Sequence, residues 1–172
     1  MSKVLVVVDM QNDFVDMALG SEEAKHIVPE VVKLITEGDY DTVYATMDTH
    51  HQNYLETLEG QKLPVVHCIE GEQGWFLTPE VQNALIKKDA EIVEKPTFGS
   101  LELMKKIQEK NPDEIDICGL CTDICVVSNA LLLRAALPNT KITLLKNACA
   151  GTTPEKHNET LSVLQSCQVD VA

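Results

Sequence analysis

Apolar and polar positions along this chain change period repeatedly, and each change marks an element. Lys3 to Val8 is a continuous β-branched run, the pattern of a strand buried on both faces. Asp9 ends it, and Met10-Gln11-Asn12-Asp13 reads as a turn. From Ser21 to Glu37 the residues Ile27, Val31, Leu34 and Ile35 recur at helical spacing, with Pro29 tolerated only near the first turn. Asp41 to Met47 is a second strand ending at Asp48, and the stretch from Tyr54 to Lys62 is polar and irregular. Thr78-Pro79-Glu80 opens a short helix to Leu85 or Ile86, Ala90 to Val93 is a third strand, and Ser100 to Lys110 is a helix. Glu114 to Cys118 is a strand, Gly119 allows a turn, Thr122 or Asp123 can cap, and Val126 to Leu137 is apolar at helical spacing. Lys141 to Leu145 is a further strand, Thr153-Pro154-Glu155 starts the last helix, and Val169-Asp170-Val171 is a terminal strand.

Strands and helices alternate with short connections, so the sequence predicts an α/β fold: a doubly wound, mostly parallel sheet with helices on both faces, in three Rossmann-like layers. The 172 residues suit one domain over 1–172, with a core large enough to need no disulfide or structural metal. Hydrophobic residues make up 44% and aromatics 4%, so that core is aliphatic and each ring near a motif carries information. A formal charge of -13 argues against nucleic acid and against anionic membranes as partners. The first apolar run is too short for a signal peptide and no segment reaches transmembrane length, so a cytoplasmic protein with reduced thiols is expected.

Chemistry gathers at the strand ends. Asp9, Asp48 and Lys95 each close a predicted strand, which is where open α/β sheets place their sites. Cys125 falls at the start of a helix, where unpaired N–H groups and the helix dipole favour thiolate. Asp48 and His50 form a D-x-H pair pointing one way along extended backbone, and His67 lies beyond Pro64. With a glutamate from the loop, Glu59 in preference to Glu56, these make a plausible divalent metal site of nitrogen and oxygen donors. Such mixed ligands suit zinc, iron and manganese. Cys118 and Cys121 form a C-x-x-C, but Cys118 ends a strand rather than starting a helix, and there is no second cysteine pair for a zinc site.

Five segments in order carry a resemblance: Val-Val-Val-Asp9-Met-Gln-Asn-Asp-Phe14, Asp48-Thr-His50, Leu-Pro-Val-Val-His67-Cys, Glu-Lys95-Pro-Thr-Phe98 and Cys-Gly-Leu-Cys121-Thr-Asp-Ile-Cys125-Val. Together they resemble the isochorismatase-like cysteine hydrolases, the group that contains nicotinamidase. The resemblance implies a catalytic triad of Asp9, Lys95 and Cys125, a metal site of Asp48, His50, Glu59 and His67, and an oxyanion hole from the backbone N–H groups of Cys121 and Cys125 beside a cis Leu120–Cys121 peptide. It further implies a pocket lined by Phe14, Phe98 and Leu120, hydrolysis of a small planar amide such as nicotinamide through a thioester, a role in NAD salvage, and a homo-oligomer, dimer or tetramer. Family members that cleave a vinyl ether lack the cysteine, so Cys125 points to an amide or carbamoyl substrate. One departure stands out: nicotinamidases usually carry an aromatic residue where this chain has Pro64.

Overall fold

The computed structural model describes residues 1–172. Its elements in chain order are β1 (Lys3–Val8), α1 (Asn12–Val15), α2 (Glu22–Glu37), β2 (Thr42–Asp48), α3 (Leu58–Lys62), α4 (Pro79–Lys87), β3 (Glu91–Lys95), α5 (Leu101–Lys110), β4 (Glu114–Leu120), α6 (Val127–Ala136), β5 (Lys141–Ala150), α7 (Pro154–Ser166) and β6 (Asp170–Val171). All six strands are parallel, in the order β3-β2-β1-β4-β5-β6. β1 lies at the centre, and Val4 to Val8 are all buried, as an uninterrupted β-branched run requires. α2 and α4 pack together on one face, while α5, α6 and α7 line up on the other. The chain is thus doubly wound, and its strand order reverses between β1 and β4. A crevice opens at the carboxyl ends of those two strands. No helix is long and apolar enough to cross a membrane.

Several local expectations are corrected. The segment after Asp9 forms a short helix rather than only a turn, and the stretch at 54–62 folds into a 3-10 turn over Tyr54–Glu56 followed by α3, capped by Thr57 Oγ1 on the Gly60 N–H. Pro29 sits in the interior of α2; it is solvent-exposed, so the carbonyl deprived of its donor lies on the wet face of the helix. Gly119 lies inside β4 at φ +116°, where a Cβ would stand 2.1 Å from the Val8 carbonyl oxygen. It is needed for close approach of β1, not for a turn. Neither Thr122 nor Asp123 caps α6: the Thr122 hydroxyl bonds His157 Nδ1 at 2.7 Å, and the Asp123 carboxylate accepts from the Thr152 backbone and hydroxyl at 2.8 and 2.6 Å. A wide turn over Thr122–Val126, in which the Val126 N–H reaches back five residues to the Cys121 carbonyl, leads into α6 instead.

Candidate active site

The carboxyl ends of β1, β2 and β3 each deliver one charged group. Asp9 follows β1 in left-handed backbone, φ +48°, a conformation costly for a residue with a Cβ and held here by a Thr46 hydroxyl that donates to its Oδ1 at 2.6 Å. β2 and β3 pair in a register that sets Asp48 beside Lys95. Lys95 then reaches across β2 to Asp9, with Nζ 2.7 Å from Oδ2, and stands 3.5 Å from Asp48 Oδ1. Its third neighbour is Cys125, whose sulfur lies 3.4 Å from Nζ on the wide turn after β4. The turn therefore presents Cys125 to an acid and an ammonium that come from residues far apart in the chain. All three side chains are buried.

Burial sets their protonation. Desolvation raises the Asp9 carboxyl and the neighbouring Asp48 adds to it, while Lys95 pulls it back. Desolvation disfavours the Lys95 ammonium, but Asp9, Cys125 and Asp48 outweigh it and the lysine stays charged. The Cys125 thiol is pushed well up by burial and by Asp9, against the opposing pull of Lys95. Burial and Asp9 thus oppose the thiolate that a position near a helix start favours, and Lys95 supports it.

A second group adjoins the first. Asp48, His50, Glu59 and His67 each turn one donor atom inward, all within 4.8 Å of one another, whereas Glu56 is exposed outside the cluster. His50 Nε2 lies 2.8 Å from Asp48 Oδ2 and 3.4 Å from Glu59 Oε1; His67 Nε2 lies 3.4 and 3.8 Å from the same two oxygens. Donors at about 2.1 Å from a four-coordinate ion stand about 3.4 Å apart, so these separations fit one small divalent cation. His67 Nδ1 bonds the Val65 carbonyl at 2.7 Å, which assigns the ring proton to Nδ1 and leaves the Nε2 lone pair facing two carboxylates. A cation between them removes that conflict. The Asp48 carboxyl is held well below its ordinary range because the hydrogen bond from His50, with the charge of Lys95, overcomes burial.

Beside both groups lies a cavity of about 370 Å3, lined by Cys125, Cys121, Asp48 and His67 and walled by Phe14, Leu63, Phe98, Leu120 and Ile124. Phe14 meets the His67 ring edge-on at 5.5 Å, and Phe98 is 39% exposed at the mouth. Pro64 is solvent-exposed and outside the cavity lining; Leu63 supplies the wall there. The Leu120–Cys121 peptide is cis. Cys118 is fully buried in β4 and Cys121 lines the cavity, and all six cysteines are free thiols.

Sequence reasoning passed over the residues that hold these groups. Gln11, fully buried, accepts from the Asp48 N–H at 2.7 Å and donates to the Asp48 and Trp75 carbonyls at 2.8 Å each. Asp13 Oδ2 accepts from the Cys68 N–H at 2.7 Å and fixes the bend just after His67. Asn129 donates to the Cys125 carbonyl at 2.8 Å and accepts from the Ser100 N–H at 2.9 Å, tying the cysteine turn to the segment that carries Phe98. The signal was available only for Gln11 and Asp13, as polar residues packed between Asp9 and Phe14 in an otherwise apolar neighbourhood.

A crevice at the switch point of a parallel sheet, with a buried acid, ammonium and thiol beside a metal-competent donor set, defines a hydrolase-type α/β site. The Isochorismatase domain matches residues 3–172, and the chain belongs to the isochorismatase family. It is 28% identical to a nicotinamidase of Schizosaccharomyces pombe, over 97% of this chain and 91% of that one. The fold matches the crystal structure of the nicotinamidase/pyrazinamidase PncA from Bacillus subtilis with a TM-score of 0.87 and 28% identity, each chain covered in full. It matches the pyrazinamidase of Pyrococcus horikoshii, solved in complex with zinc, with a TM-score of 0.82 and 25% identity over 100% of this chain and 99% of that one. Within its family this chain is a nicotinamidase/pyrazinamidase-like hydrolase.

Proposed function

We propose that the chain is a cysteine amidohydrolase that converts nicotinamide to nicotinate and ammonia, with Cys125 as nucleophile, Asp9 as proton carrier and Lys95 as the charge that holds both. The observation that carries this reading is the meeting of Lys95 Nζ with Asp9 at 2.7 Å and with Cys125 Sγ at 3.4 Å at the wall of a ring-sized cavity. The names of the relatives support the substrate.

Asp9 takes the thiol proton as the sulfur attacks the carboxamide carbon, and Lys95 offsets the charge that develops on sulfur. Backbone N–H groups of Cys121 and Cys125 serve the oxyanion. The proton on Asp9 goes to the departing nitrogen, ammonia leaves and a thioester remains. Water then adds to the thioester carbonyl, Asp9 accepts a proton from it, and collapse returns the proton to the sulfur and frees nicotinate. Asp48, His50, Glu59 and His67 would hold a divalent cation, zinc by donor type and by the likeness to the Pyrococcus protein. Such an ion would supply Lewis acidity and an anchoring charge beside the cavity.

The aliphatic wall at Leu63 favours a second reading, in which the amide is carried by another small planar or carbamoyl group. An ammonia-release assay over nicotinamide, pyrazinamide and carbamoyl compounds separates the two. Turnover highest on nicotinamide supports the first reading; turnover confined to carbamoyl compounds replaces it with the second.

A further inference from the structure

Tyr54 lies in a loop that sequence alone reads as polar and irregular, yet none of its surface is exposed. Its ring centroid is 4.7 Å from that of His50 and 5.0 Å from that of His67, and these two rings are themselves 5.0 Å apart. The three rings form a closed triangle in which neither imidazole can tilt toward Tyr54 without displacing it. The phenol hydroxyl donates to the Leu63 carbonyl at 2.9 Å and stands 3.4 Å from Glu59 Oε1. The Tyr54 backbone is fixed as well: its N–H donates to the His51 carbonyl at 3.0 Å, and its own carbonyl accepts from the Thr57 N–H at 3.0 Å and the Thr57 hydroxyl at 2.6 Å. α3 closes directly onto it, since a Cβ on Gly60 would stand 2.0 Å from the Tyr54 oxygen. One side chain therefore touches three of the four inward-facing donors, and the helix carrying the third is seated on its backbone.

We infer that Tyr54 is the positioning residue of the metal centre: its ring sets the planes of His50 and His67, and its hydroxyl anchors that ring to Leu63 while bounding Glu59. This rests on the reading that the cluster holds a divalent cation. Packing alone would need any large apolar side chain, whereas the positioning role needs a flat ring tethered by its hydroxyl, because imidazole lone pairs must converge on one point to ligate.

The test is zinc affinity of the metal-free protein, measured by competition with a chromogenic chelator, together with the visible absorption of the cobalt-loaded form. Tyr54→Phe keeps the ring and loses the tether; Tyr54→Leu loses both. Outer-shell partners of ligating histidines are worth about 10–100-fold in metal affinity, so Tyr54→Phe is expected to bind zinc about tenfold more weakly and Tyr54→Leu about a hundredfold, each with altered cobalt bands. A remote core variant, Ile107→Val, should lower the melting temperature and leave zinc affinity and the cobalt spectrum unchanged. Parent-like zinc affinity in folded Tyr54→Phe and Tyr54→Leu overturns the inference while leaving the metal site intact. Absence of zinc binding in the parent overturns the metal reading and the inference with it.

Discussion

Two lysines sit at opposite ends of the same sheet, and each is paired with two carboxylates. Lys3, which begins β1, lies 3.0 Å from Asp116 and 3.8 Å from Glu114 on the neighbouring β4. Lys95, which ends β3, lies 2.7 Å from Asp9 and 3.5 Å from Asp48. The distances are alike and the surroundings are not: the Lys3 side chain is 35% exposed and that of Lys95 is 0%. At the wet end water screens the charges and the pair contributes little; at the dry end each charge depends on the others. The difference also follows the direction of the sheet, because Lys95 lies at the carboxyl ends of the strands, where the crevice opens, and Lys3 at the amino ends. An ammonium buried beside a thiol is placed to take part in a reaction, whereas one partly in water at the far end of the sheet is not.

The comparison is tested most severely at the dry end. On the proposed reading Cys125→Ala removes the nucleophile and should abolish ammonia release, by at least about a thousandfold, while the fold persists. Lys95→Met should also abolish activity and in addition cost about 3–5 kcal/mol in denaturant unfolding, since it strands two buried carboxylates. Parent-like stability in that variant would erase the contrast between the two lysines. Zinc at about a hundredfold above its dissociation constant should stabilise the protein by about 2.7 kcal/mol, which thermal melting with and without a chelator would register as about 5–10 °C. Asn129→Ala removes the ties to Cys125 and Ser100 and should cost about 1–3 kcal/mol by the same unfolding measurement. Lys3→Met is the smallest effect, at most about 1 kcal/mol and without change in activity.

What the sequence made legible were features of short range. The β-branched run of β1, the charged residue closing each of β1, β2 and β3, and the D-x-H alternation of Asp48 and His50 are all patterns of neighbouring residues, and periodicity reads them directly. What escaped depends on contacts between distant segments. Gln11 looked like a turn residue, and its role appears only when β2 brings the Asp48 backbone within hydrogen-bond reach. Tyr54 looked like part of a solvated loop because the rings that bury it come from residues 50 and 67. The surroundings of Cys125 escaped for the same reason: the helix start is local and visible, whereas the burial that opposes its thiolate is assembled from distant segments. Gly119 was read as a turn former because its close approach to Val8 requires knowing that β1 and β4 are neighbours.

The claim on which all of this depends is that Cys125, held by Asp9 and Lys95, carries the acyl group. Rapid acid quenching during turnover of nicotinamide, followed by peptide mass spectrometry, tests it directly. A nicotinoyl adduct on the peptide containing Cys125, and on none of the other five cysteines, is the expected result. Turnover with Cys125 unmodified and the adduct on a different residue would contradict it.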